Sequence, residues 1–174
     1  MAEGPVGGLD SESDELAQFR QWFGSPRNPR NEPNSAQCLQ LNQDDGMRTL
    51  GRSPILGVQL GSPPVGRGQS HSRYLWVIVE QEIRFILEEP LEKLGGQLPK
   101  HTHLTGGKQA YLGGEVWFKD ANSLFLSGGS GRYPPDSPEQ LNRAADLFRT
   151  YGYEVECLGW NVETGWAERA LKNS

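Results

Sequence analysis

The sequence predicts an α+β fold: a small, mostly antiparallel sheet with one main packed helix, preceded by a flexible N-terminal region. Three observations predict it. Tyr74–Val79 and Ile83–Leu87 are apolar, β-branched and aromatic runs separated by Glu80-Gln81-Glu82, a hairpin connection. "GEVWFKD" and "SLFLSGG" form a second strand pair around a tight Asp-Ala-Asn turn. "SPEQLNRAADLFRTYGYEVECLGW" carries the clearest local signal, a capped helix followed by a strand.

In chain order, residues 1–10 are Gly-rich and carry no element. "SESDELAQFRQWFG" predicts a short helix at about 13–23, with Ser11 or Ser13 as cap and acids in its first turn. Leu16, Phe19 and Phe23 share one face, and Gly24 before Ser-Pro stops it. Such a helix docks on its own domain or on a partner. Residues 24–70 are rich in Gly, Pro, Ser, Asn, Gln and Arg with scattered apolar positions, so a largely flexible linker is expected. "PILGVQL" is its one candidate edge strand. From residue 71 the pattern becomes that of the α+β functional domain, 71–174. "LEKLGGQLPK" is a connection with a helical turn, and "HTHLT" is expected to be short and extended. In the main helix Ser137 caps, Pro138 suits the first turn, and Gln140 completes a Ser-x-x-Gln capping box. Leu141, Ala144, Ala145, Phe148 and Tyr151 form its apolar face, and Gly152 ends it. Tyr153–Leu158 is then a strand and "ETGWAERALK" a final short helix.

The totals limit the function classes. Glycine (22) and proline (12) make nearly a fifth of the 174 residues, and mean hydropathy is −0.63, so part of the chain lies outside a core. Residues 1–70 carry 6 basic and 8 acidic side chains, residues 71–174 carry 11 and 14, so neither part is a general trap for nucleic acid. Any polyanion must bind locally. Cys38 and Cys157 are too few for a disulfide framework and are expected as free thiols in a reducing compartment. No basic start followed by an apolar core marks a signal peptide, and Tyr74–Val79 is too short to span a bilayer. A soluble chain without a membrane partner is expected.

Read as extended, "HTHLT" projects His101, His103 and Thr105 from one side. Two imidazoles titrating near neutral pH then share base and acid roles. The alternatives are solvent-facing strand polars, or one hydrogen-bonded core histidine. No CxxC or HExxH accompanies the pair, so neither metal nor cofactor is expected. "SGGSGRYPPDS", residues 127–137, is the second constellation. A Gly-rich turn before a helix offers backbone N–H groups to an anion. Arg132 adds a guanidinium fork, Tyr133 a ring or hydroxyl, and Ser130 and Gly131 contacts for a ligand. Its alternative is a tight connection stiffened by Pro134 and Pro135. Glu115 starts a strand between Gly113-Gly114 and an aromatic run. It either faces a cleft, as a base or the orienter of a histidine, or is an ordinary exposed position.

"HTHLTGGKQAYLGGEVWFKDANSLFLSGGSGRYPP" resembles a block of predicted bacterial polymorphic-toxin C-terminal domains and of plant IQ-motif calmodulin-binding proteins. That block runs His-Ser-Ser-Phe, then Ala-Gly-Glu, then Ser-Gly-His-Tyr-x-Pro, and the likeness covers residues 74–150. His101 and Thr102 take its first two positions, Gly114 and Glu115 its Gly-Glu, and Ser130, Gly131, Tyr133 and Pro135 its last element. Arg132 stands where the block has its second histidine, and His103 where it has serine. The toxin context implies a metal-independent ribonuclease similar to the barnase, EndoU, colicin and RelE group, with RNA as substrate. It also implies a cytoplasmic site of action, delivery by a secretion system, and a cognate immunity or carrier protein. Base and acid would come from His101 and His103, the phosphate clamp from Arg132, and positioning from Tyr133 or Thr105. The plant context implies instead a non-catalytic module, with "SGGSGRY" holding a phosphate or acidic ligand. An ADP-ribosyltransferase-like enzyme is the third expectation, from a histidine and a glutamate on neighbouring strands.

Overall fold

A computed structural model describes residues 14–172. Helix α1 covers 14–23, α2 His101–Thr105 and α3 Pro138–Thr150. The strands are β1 Arg48–Thr49, β2 Tyr74–Ile78, β3 Ile83–Leu87, β4 Leu112–Asp120, β5 Ser123–Ser127 and β6 Glu154–Cys157. They form one sheet in the order β1-β3-β2-β4-β5-β6, antiparallel throughout except for the β5–β6 pair, which α3 connects as a crossover. The fold is α+β. A separate hairpin joins β7 (Trp160–Asn161) to β8 (Trp166–Ala167). No helix among the described residues is long and apolar enough to cross a membrane.

Period-two alternation divides the core between the two faces of the sheet. Tyr74, Trp76 and Ile78 of β2 face α1 and α3, meeting Leu16, Phe19 and Phe148. Leu75 and Val77 face the other way, toward Leu104 of α2, Tyr133 and Leu41. Both faces are covered, which is why β2 is buried along its whole length. α3 begins as its sequence demands: the Ser137 hydroxyl accepts from Gln140 N–H. The expected capping box is not completed: the Gln140 side chain accepts from Asp136 N–H, one residue before the cap, at 2.7 Å. Gly152 ends the helix region with φ of 97°.

Four further expectations change. "HTHLT" is a helical turn, not a strand. Lys100 is extended before it, and Gly106 and Gly107, at φ of 68° and 78°, provide its left-handed stop. Five residues are too few for periodicity to distinguish the two forms. "ETGWAERALK" is not a helix but the return of the β7–β8 hairpin, where Asn161 Oδ1 accepts from Glu163 and Thr164 N–H. The expected edge strand "PILGVQL" forms only an isolated bridge, Leu60 to Phe118, and Arg48–Thr49 takes the sheet edge instead. Residues 24–70 are no loose linker. Arg27 and Ala110 exchange backbone hydrogen bonds, Leu41 N–H donates to His103 O, and Leu50 N–H donates to Ile83 O. Backbone bonding to the domain, invisible in side-chain composition, holds this segment down. α1 docks on its own domain, with the Phe19 and Phe23 rings against Tyr111. Its expected caps, Ser11 and Ser13, lie outside the described residues.

The segment is therefore part of the folding unit. Leu41→Ala, at a fully buried position, is expected to cost about 2–5 kcal/mol in urea unfolding. Leu56→Ala, where the side chain is 75% exposed, should stay within about 0.5 kcal/mol.

Candidate functional site

β4 carries two glycines where the sheet is most crowded. A Cβ on Gly114 would lie 2.0 Å from Ser127 O and 2.7 Å from the Trp76 ring. The Trp76 indole crosses here and donates to Glu115 O and Ser127 O. On the opposite face, a Cβ on Gly113 would lie 3.0 Å from His101 Cδ2 and 3.2 Å from Ser130 Oγ. The bare β4 backbone thus lets α2 and the 127–133 turn close on the sheet together.

His101 uses that access. Its Nε2 lies 2.9 Å from Gly114 O. A carbonyl only accepts, so Nε2 carries the proton and Nδ1 is the basic nitrogen. Burial holds the ring neutral and lowers its pKa to about 4, against the opposing pull of that carbonyl. His103 points elsewhere. Its Nδ1 accepts from Lys100 N–H at 2.8 Å, so its Nε2–H donates to Ala36 O at 3.2 Å. Burial lowers its pKa too. The helical turn gives the two rings separate partners on separate parts of the fold.

Glu115 is buried, 6% exposed, and pairs across the sheet with Ser127, whose hydroxyl donates to Oε1 at 3.3 Å. Arg73 Nε stands 3.6 Å from Oε2. Burial pushes the carboxyl above its ordinary range, while the charges of Arg73 and Arg169 pull it back. Arg169 also lies close enough to His101 to disfavour its protonation. Around Gly128–Ser130 lies a small cavity of about 80 Å³, lined also by Pro135, Trp166 and Arg169.

The remaining residues of the second constellation serve the fold. Ser130 Oγ accepts from Arg132 and Tyr133 N–H. The fully buried Tyr133 donates its hydroxyl to Lys108 O at 2.6 Å and meets Thr105 Oγ1 at 2.8 Å. Burial raises that phenol's pKa. Arg132 turns away from His101: Nη1 donates to Arg30 O and Asn31 O, and Nη2 to Gln37 Oε1. Gly131 is exposed, with room for a Cβ. The structure thus brings His101, Glu115 and Ser130 to one region, and places His103 and Arg132 against residues 30–37. Arg73 and Arg169 are the cations that sequence reading missed. The Trp-Ala-Glu-Arg stretch holding Arg169 has the apolar spacing of a helix, and only Asn161 and Gly165 signal the hairpin that delivers it. No protein-family model, curated protein or solved structure matches the chain.

The pKa of His101 fixes a sign. The folded ring binds a proton less readily than the unfolded one, so its contribution is complete above about pH 6.5 and is lost as pH falls toward 4. The size is on the order of 3 kcal/mol. His103 acts in the same direction. Glu115 opposes them, since its raised pKa favours the fold at acid pH. Urea midpoints between pH 7 and 4.5 should fall steeply for the natural chain and less steeply for His101→Gln.

Proposed function

We propose that the chain is a non-catalytic binding module for an anionic ligand, held at the Gly128–Ser130 turn by Arg169. One observation carries this reading. Arg169 is exposed at the rim of the small cavity, and its guanidinium makes no hydrogen bond among the described residues. The backbone N–H groups of Gly128 and Ser130 likewise donate to no group among the described residues. Backbone N–H groups of a glycine turn beside a guanidinium fork suit a phosphate or carboxylate. The negative end of Glu115 is offset by Arg73. Arg132, the clamp suggested by the sequence, is already engaged with residues 30–37.

RNA cleavage is the second reading, favoured by a different observation. His101 Nδ1 is basic, Glu115 has a raised pKa, and Arg169 acts on both. An imidazole, a carboxyl and a cation form a set that moves protons during 2′-OH attack. Weighing against it, His101 is 7% exposed and the acidic chain offers no broad basic surface for RNA.

Titration of the isotope-labelled chain with inorganic phosphate separates the readings. The amides of Gly128, Ser130 and Arg169 should move saturably, and Arg169→Ala should abolish this while Arg169→Lys retains part. Incubation with total RNA in EDTA should leave the RNA intact. Cleavage lost in both His101→Ala and Glu115→Gln would establish the second reading instead.

A further inference from the structure

The outer edge of His103 borders a second opening, a cleft of about 400 Å³. It shares no lining residue with the Gly128–Ser130 cavity and is independent of that site. One wall is residues 35–39, including the 3-10 turn Ala36–Cys38. The other is residues 93–100, beginning in the turn Glu92–Leu94 that Gly95 closes in the left-handed conformation. Its volume falls within the range of small-ligand pockets, about 300–1,000 Å³.

The lining has two characters. Leu39, Leu94 and Leu98 make it apolar. Leu39 and Leu98 are 40% and 41% exposed, so this cleft holds two of the seven large hydrophobic side chains left open on the described surface. Two lysines supply positive charge. Lys93 is already paired, its Nζ 3.0 Å from Asp45 Oδ2. The Lys100 ammonium makes no hydrogen bond or ion pair among the described residues, and no carboxylate lines the cleft. His103 adds no open group, since both ring nitrogens are engaged. Those two bonds tie Lys100 and Ala36, from opposite walls, to one imidazole. The ring therefore spaces the walls.

We propose that this cleft binds a small amphipathic carboxylate, its apolar body against Leu39, Leu94 and Leu98 and its carboxylate on the Lys100 ammonium. One open ammonium matches one negative charge. A phosphate dianion needs a second cation, and Lys93 is committed to Asp45. The leucines exclude a ligand that is polar throughout, because burying them against it gains nothing. His103 acts as a positioning residue that holds the two walls at binding distance.

The test is an amide-resolved NMR titration of the full chain with octanoate, octanol and acetate, each below its aggregation threshold. Octanoate should shift Gln37, Leu98 and Lys100 saturably. Octanol should bind the same residues about tenfold more weakly, the loss of one charge-assisted contact, and acetate should not saturate. Lys100→Met should weaken octanoate about tenfold and leave octanol unchanged. Retained octanol binding shows that the variant is folded. Equal responses to octanoate and acetate would overturn the proposal. So would shifts centred on Leu56, Leu60 and Val162, or a Lys100→Met effect equal for both eight-carbon ligands.

Discussion

The hydrogen bond from His101 Nε2 to Gly114 O is the constraint on which the arrangement turns. It joins a five-residue helical turn to the middle of the sheet, at a point where β4 has no side chains. A buried imidazole and a buried carbonyl satisfy each other there, and leaving either unpaired costs about 1–3 kcal/mol. The bond also fixes which ring nitrogen is basic. With α2 seated, Thr105 meets the Tyr133 hydroxyl, and Tyr133 O accepts from Gly113 N–H. The three parts of the sequence block, around His101, Gly114-Glu115 and Ser130–Tyr133, are thus parts of one packed junction.

Glycine makes that junction possible on both faces. Gly114 yields its volume to Trp76, and Gly113 yields its volume to His101 and Ser130. Gly129 does the same one strand over, where a Cβ would lie 2.7 Å from Glu115 Oε1 and 2.8 Å from Arg169 Nε. The bare backbone brings a glutamate and an arginine from distant parts of the chain under one turn. The outcome is a polar core patch built from separate elements, closed on its inner side and edged by Arg169 outside.

Much of this was legible in the residues. The strands β2 to β5 followed from apolar, β-branched and aromatic runs between turn signals, and helix α3 from its one-sided apolar face and the Ser137, Pro138 and Gly152 signals. His101, Glu115 and Ser130 were legible as candidate residues. Their detailed roles were not. "HTHLT" is too short to show its period, and its two glycines also fit a loop. Arg132 sits in the most suggestive motif, yet it bonds to carbonyls of residues 30 and 31, whose sequence carries no strand or helix pattern. The packing of residues 24–70 is hidden for the same reason: it rests on backbone hydrogen bonds, which composition does not record, and on a few scattered side chains, Leu41, Leu50 and Ile55.

Everything in this junction requires His101 to be a neutral, structurally bonded histidine. The most direct measurement is the ¹⁵N spectrum of the histidine rings from pH 7.5 to 4. His101 is expected to show the Nε2-protonated neutral tautomer over most of this range and to reach half protonation only near pH 4. A His101 ring that titrates near the ordinary value of about 6.5, or that carries its proton on Nδ1 at neutral pH, would contradict it.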